Sequence, residues 1–175
     1  TTSDVVITTG TTTTDVVGQT NTPTIDTTTG KVTVPAGTKS GTYTLTYTIC
    51  ERLNPDNCKT TTVTVKVGNT PLVATPDTDF TFPSGSATST STRTVIDNDR
   101  IGNRTPTTSD VVITTGTTTT DVVGQTNTPT IDTTTGKVMI PSGTKSGTYT
   151  LTYTICERLN PDNCKTTTVT VKVGN

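Results

Sequence analysis

The sequence predicts an all-β chain made of tandem immunoglobulin-like β-sandwich repeats, and three observations lead to this prediction. Residues 1–69 recur almost unchanged as residues 107–175, and this period of 106 residues has the size of one small domain. Threonine, which is β-branched and favours extended backbone, occupies 56 of the 175 positions. Apolar and polar residues alternate along several stretches, as they do in half-buried strands. The two copies differ only where Thr33, Val34 and Ala36 are replaced by Met139, Ile140 and Ser142.

The first half of each copy contains short apolar runs bounded by turn residues. In the first copy, residues 4–8 and 15–17 are predicted to be two short strands. Residues 24–26 and 31–34 are predicted to pair as a small hairpin around a Thr-Thr-Thr-Gly turn, which Pro35 and Gly37 end.

The clearest strand covers residues 41–50, in which apolar and polar residues alternate without a break. Its inward residues are Tyr43, Leu45, Tyr47 and Ile49. After a loop over residues 51–57, residues 58–67 form a second strand with Val63, Val65 and Val67 on one face. We expect these two strands to pair as an antiparallel hairpin.

The cysteines agree with this hairpin. If Cys50 lies opposite Cys58, Leu45 faces Val63 and the outward threonines face each other, so both faces pair well. The sequence therefore predicts disulfides between Cys50 and Cys58 and between Cys156 and Cys164. Free thiols or half of a zinc site are the alternatives, but the chain has no His and only four cysteines. Disulfides would indicate an oxidising, extracytoplasmic setting.

The segment between the copies, residues 70–106, is less regular. Phe80 and Phe82 flank Thr81 as in a strand, and Val95 and Ile96 start another apolar patch. Residues 84–94 have too few apolar side chains for an assignment. One full period thus contains about seven short strands, which is typical of an immunoglobulin-like sandwich.

The predicted domains are residues 70–175, a complete repeat, and residues 1–69, a partial repeat that lacks its first strands. The boundary follows from the strand that ends at Val67 and the short connector of residues 68–71. We expect residues 70–106 to complete the second copy, which leaves the first with an open sheet edge.

Composition excludes several function classes. Without His, a phosphate-binding loop or an activated nucleophile, the chain is not expected to be an enzyme. Its 13 basic and 14 acidic residues form no basic stripe, so nucleic acid is not an expected partner. We find no signal peptide and no apolar stretch of membrane-spanning length.

Acidic and amide side chains cluster at residues 97–99. Asp97 and Asp99, with Asn98 between them, could bind calcium, which prefers six to eight oxygen ligands. The alternative is a turn, since Asp and Asn also reverse strands. Three adjacent residues cannot all point at one ion, so the turn is favoured and no cofactor is required.

One string, TYTLTYTICERLNPDNC at residues 42–58, carries a family resemblance, together with GKVTVPAG at 30–37 and VIDND at 95–99. It resembles the repeats of SprB-like surface adhesins of gliding flavobacteria. The resemblance implies type IX secretion, display on the outer-membrane surface, and a filament of repeats that the gliding machinery moves along the cell. It also implies O-glycosylation at Asp-Thr-Thr motifs, here at Thr27 and Thr133.

Two functions agree with these features. Each repeat is either a disulfide-closed structural spacer in a long filament, or a module that itself binds polysaccharide or another surface ligand. Aromatic residues make up only 3% of the chain, and the alternation along the predicted strands places most of them on the inward face. Since sugar-binding surfaces rely on exposed aromatic rings, the spacer is the favoured function.

Overall fold

The computed structural model describes residues 1–174, so Asn175 of the predicted second domain lies outside the described residues. The chain divides into two compact units, unit 1 (Thr1–Asn69) and unit 2 (Thr70–Asn175). Both are all-β. Over the described residues, the structure has no helix long and apolar enough to cross a membrane.

Unit 1 contains two small sheets. Its strands are β1 (Val5–Thr14), β2 (Thr24–Ile25), β3 (Val32–Thr33), β4 (Gly41–Glu51) and β5 (Asn54–Val67). One sheet has the order β1-β4-β5 and the other is the β2-β3 hairpin. Tyr43 and Leu45 are its only buried large hydrophobic residues.

Unit 2 repeats this arrangement and adds four strands from residues 70–106. Its strands are β6 (Leu72–Val73), β7 (Asp77–Phe82), β8 (Ser89–Thr94), β9 (Arg100–Ile101), β10 (Val111–Thr120), β11 (Thr130–Ile131), β12 (Lys137–Ile140), β13 (Gly147–Glu157) and β14 (Asn160–Val173). The sheets are β10-β13-β14-β7, β11-β12-β8 and the β6-β9 pair. Inward residues of the two larger sheets form one hydrophobic core, so unit 2 is an immunoglobulin-like β-sandwich.

The added strands attach to the two edges that the repeated part leaves open. β7 runs parallel to β14, with Val171 opposite Phe80. β8 runs antiparallel to β12, with Ile140 opposite Ser89. Directly after β8, Val95 and Ile96 are buried in a turn. The Ser- and Thr-rich stretch that sequence alone could not assign therefore contains an edge strand.

The register of the long hairpin is confirmed in both units. Cys50 pairs with Cys58, Leu45 with Val63 and Tyr43 with Val65. The predicted loop of residues 51–57 is too long, because β4 continues to Glu51 and β5 already begins at Asn54. The register shifts by a bulge directly after the cysteine pair.

The prediction for residues 4–17 is wrong in two respects. The first strand does not stop at Thr8 but continues to Thr14 through a bulge after Thr9. Residues 15–17 form a turn instead of a strand, in which the Val16 amide donates to the Thr14 hydroxyl at 3.1 Å. A threonine side chain here replaces the strand ladder as the hydrogen-bond partner of the backbone.

Candidate functional site

The four cysteines form two disulfides, Cys50–Cys58 and Cys156–Cys164, each closing a β-hairpin. The Cα atoms of each pair are 4.1 Å apart. Two strand positions away, the hydroxyls of Thr48 and Thr60 lie 2.7 Å apart. The same contact recurs between Thr154 and Thr166. Each unit thus has the same covalent clamp at the tip of its longest hairpin.

Asp97 and Asp99 have different partners. The carboxylate of Asp97 accepts hydrogen bonds from the backbone amide of Thr94, at 3.1 Å, and from its hydroxyl, at 2.7 Å. Asp99 is fully buried, and one of its oxygens accepts from the Thr75 amide at 2.8 Å. Over residues 1–174, no three His, Cys, Asp or Glu side chains are grouped in a way that could hold a metal ion.

A buried polar cluster in unit 2 consists of Asp77, Asp99 and Tyr153, all almost inaccessible to solvent. The Tyr153 hydroxyl donates to the Val95 carbonyl at 2.7 Å and lies 3.2 Å from a carboxyl oxygen of each aspartate. Arg93 donates to Asp77 at 3.0 Å. The cluster therefore connects strands β7 and β13 with the turn after β8.

Sequence reasoning missed Asp77. In a regular strand it would lie on the face opposite Phe80, hence in solvent. The register between β7 and β14 shifts between these two residues, so both are buried. An Asp three positions before a Phe gives no signal of this bulge.

The three residues of the cluster have pKa values above their ordinary ones. Burial raises the pKa of Asp77 to about 7, although Tyr153 and Arg93 act in the opposite direction. Burial also raises the pKa of Asp99 and that of Tyr153. Since the single tyrosine proton is directed at Val95, a protonated carboxyl can in turn donate to the phenol oxygen. A neutral carboxyl at one of the two aspartates reduces the charge that the site has to bury.

Unit 1 has an uncovered apolar face where unit 2 has its core. A cavity of about 260 Å³ there is lined by Ile7, Ile25, Gly30, Val32, Tyr47 and Val63. The corresponding residues of unit 2, with identical side chains, are all buried under residues 70–106. Val32 is 42% exposed, whereas Val138 is 0% exposed.

The two candidate glycosylation sites, Thr27 and Thr133, are exposed at equivalent turns. In each turn the preceding aspartate accepts a hydrogen bond from the amide after the threonine, at 2.8 Å. The turn closes on a glycine, Gly30 or Gly136, with φ of 73° or 74°. The geometry thus presents each threonine at the tip of a fixed loop.

No protein-family model matches the chain, and no curated protein matches it. Among solved structures, protocadherin gamma B2 extracellular cadherin domains 3-6 align with 98% of the chain at 9% identity and a TM-score of 0.42, over 43% of that structure. Human CDH23 EC21-23 aligns with 97% at 15% identity and a TM-score of 0.36, over 62% of that structure. The human desmocollin-1 ectodomain aligns with 98% at 13% identity and a TM-score of 0.35, over 35% of that structure.

The chain spans less than two thirds of each of these neighbours. At such identities and TM-scores the likenesses carry no information about ligands or function, and the fold class follows from the sheets described above. The features that bear on function are the disulfide-clamped hairpins, the buried cluster of unit 2 and the uncovered face of unit 1.

Proposed function

We propose that the chain is part of the repeat region of a large cell-surface adhesin filament, in which each repeat acts as a disulfide-closed structural spacer. The observation that carries the proposal is the recurrence of one clamped hairpin at the same register in both units. A disulfide inside each repeat constrains the unfolded chain. This suits a domain with few large apolar residues that works outside the cell.

The proposed setting is extracellular, on the outer-membrane surface. The immediate partners are neighbouring repeats of the same chain. In the full-length protein, the gliding machinery and an external surface or polysaccharide are the further partners. The motif resemblance at residues 42–58 supports this setting. Glycosylation at Thr27 and Thr133 belongs to the same proposal, and the exposure of both side chains supports it.

The placement of the aromatic rings favours a spacer over a sugar-binding repeat. The chain has four Tyr, two Phe and no Trp. Five of these six rings are buried, and the sixth, Tyr47, is half-buried on the uncovered face of unit 1. Carbohydrate sites usually stack sugars on exposed aromatic faces. The repeats therefore offer little surface for recognising a polysaccharide.

A glycan array and a surface-adhesion assay on the two-unit protein test the proposal. We expect no saturable binding to any polysaccharide or abiotic surface, with the disulfides intact or reduced. A protein of the same charge and size serves as the control for non-specific adhesion. Saturable binding that persists after one unit is unfolded selectively would instead assign ligand recognition to the individual repeat.

A further inference from the structure

We propose that the uncovered face of unit 1 is an acceptor site for an extended polypeptide segment with the chemistry of residues 70–106, the segment that completes unit 2. We call this surface the acceptor face and define it by Ile7, Ile25, Val32, Tyr47, Val63 and Val65. The inference concerns how a repeat is completed, so it stands whether or not the filament adheres to anything.

The first argument is the identity of the face. Each of its six residues has the same residue type at the equivalent position of unit 2. There the equivalents pack in one core with Leu72, Phe80, Phe82, Val95 and Ile96 from the added segment. A surface whose counterpart is filled by a known segment specifies the chemistry of its occupant: aromatic residues that alternate with polar ones on an extended strand, and aliphatic residues in a later turn.

The second argument is the sheet edges. In unit 2, β14 pairs with β7 and β12 pairs with β8. In unit 1 the corresponding strands, β5 and β3, stand at the ends of their sheets. β3 spans only Val32–Thr33, whereas β12 spans Lys137–Ile140. Open edges are templates for strand addition, and a partner for β3 would extend it to the length of β12.

The third argument comes from hydrogen bonds, which set the register of the covering segment on unit 1. A strand that covers Tyr47 must bring an acceptor for its hydroxyl, as Val95 and the two aspartates do for Tyr153. A purely apolar strand would leave this hydroxyl buried without a partner, which is costly. At the hairpin tip, Asn163 donates to the Thr70 carbonyl at 2.8 Å, and Asn57 is the equivalent donor of unit 1.

A close backbone contact also restricts the occupant. A Cβ atom added to Gly85 would lie 2.0 Å from the carbonyl oxygen of Thr144. The Gly143 amide donates to the Gly85 carbonyl at 2.8 Å. The equivalent loop of unit 1, around Thr38, has the same sequence except for Ala36 in place of Ser142. The occupant of unit 1 therefore needs a glycine at this point.

The three differences between the copies all lie where β8 docks. Met139 pairs with Thr90 and Ile140 with Ser89, and the Ser142 hydroxyl donates to the Ser86 carbonyl at 3.2 Å. Unit 1 has Thr33, Val34 and Ala36 at these positions. It has one methylene less at Val34 and no hydroxyl at Ala36. The segment that fits unit 1 best thus differs from residues 70–106 in its β8 part, which makes this strand the determinant of specificity.

The test is a titration of the full chain, ¹⁵N-labelled in residues 1–69, with a synthetic peptide of residues 70–106. We expect saturable binding of one peptide per chain, with amide shifts and slowed exchange in β3 and β5. In the peptide, Gly85→Ala should abolish this binding. In the chain, Tyr47→Phe should weaken it roughly tenfold because the two peptide carboxyl groups lose their partner. Tyr153→Phe is the matched control and should leave peptide binding unchanged.

A variant of the acceptor face provides the most specific test of the proposal. Converting unit 1 to the sequence of unit 2 by Thr33→Met, Val34→Ile and Ala36→Ser should tighten binding of the peptide about ten- to fiftyfold, through one added methylene and one hydrogen bond. No binding to this triple variant would overturn the proposal, as would equal binding of a scrambled peptide. Pairing of β5 with β5 of a second copy in the absence of peptide would give the face a different occupant and would also overturn the proposal.

Discussion

Unit 1 and unit 2 place the same side chains at different degrees of exposure. Tyr153 and Ile155 are fully buried, whereas Tyr47 is half-buried and Ile49 is 37% exposed. The hairpin register is the same in both, and so is the disulfide. The difference comes from residues 70–106, which cover one copy only. Local sequence therefore decides the strands and their facing, while a distant segment decides whether the inward face becomes a core.

Truncation of Tyr153 and of its equivalent Tyr47 should give the largest difference in stability between the two units. Tyr153→Ala removes a fully buried ring and should lower the free energy of unfolding of unit 2 by about 3–5 kcal/mol. Tyr47→Ala removes a half-buried ring and should cost unit 1 about 1 kcal/mol or less. Urea unfolding followed by amide signals in each unit measures both. Equal losses would mean that the acceptor face is covered in solution.

Removal of the disulfides should affect the two units alike. Replacing Cys50 and Cys58, or Cys156 and Cys164, with serine should cost about 2.6 kcal/mol in the unit concerned, since both bridges close a loop of the same length. Unfolding of the two double variants measures this, with non-reducing peptide mapping of the wild type as the control. A clearly larger loss of unfolding free energy in one unit would show that the contribution of the disulfide depends on whether residues 70–106 cover that unit.

Parity and turn chemistry predict the repeated part of the chain well, because each strand of the hairpin alternates regularly and the cysteines fix its register. They fail in residues 70–106 for physical reasons. β8 consists of Ser, Thr and Arg, and its stability comes from pairing with β12 instead of from its own apolar content. Asp77 is buried by a bulge that has no signature in its own residues. Tertiary context overrides local pattern in both cases.

Between pH 4 and pH 7, the buried cluster should make the stability of unit 2 more sensitive to pH than that of unit 1. The folded-state pKa of Asp77, about 7, is above its unfolded value of 3.8, so its contribution to stability is fully present below pH 4. It is lost as the pH rises towards 7. We expect unit 2 to lose about 1–2 kcal/mol over this window, less than a lone buried group would, because Tyr153 and Arg93 stabilise the charged form of Asp77.

The neighbours of Asp77 define the control. Arg93 also contacts Asp79, so Asp77→Asn should flatten the pH dependence of unit 2 without removing the second contact of the arginine. Thermal unfolding between pH 4 and pH 8 is the measurement. A slope that survives in Asp77→Asn would place the titrating group elsewhere, with Asp99 as the next variant to examine.

Chelation of calcium should have the smallest effect, a change in Tm of unit 2 below about 5 °C, or about 1 kcal/mol for a domain of this size. Both oxygens of Asp97 are engaged by Thr94, and Asp99 faces Tyr153 and Thr75, so the two carboxylates do not converge on the oxygen shell that calcium requires. Unit 1, without an equivalent of residues 97–99, is the internal control. Asp97→Asn should cost unit 2 up to about 1 kcal/mol with or without chelator, since it weakens only the turn. If chelation instead lowered the Tm of unit 2 by well over 5 °C and Asp97→Asn removed that response, the turn would be a calcium site, and the difference between the units would include an ion as well as a covering segment.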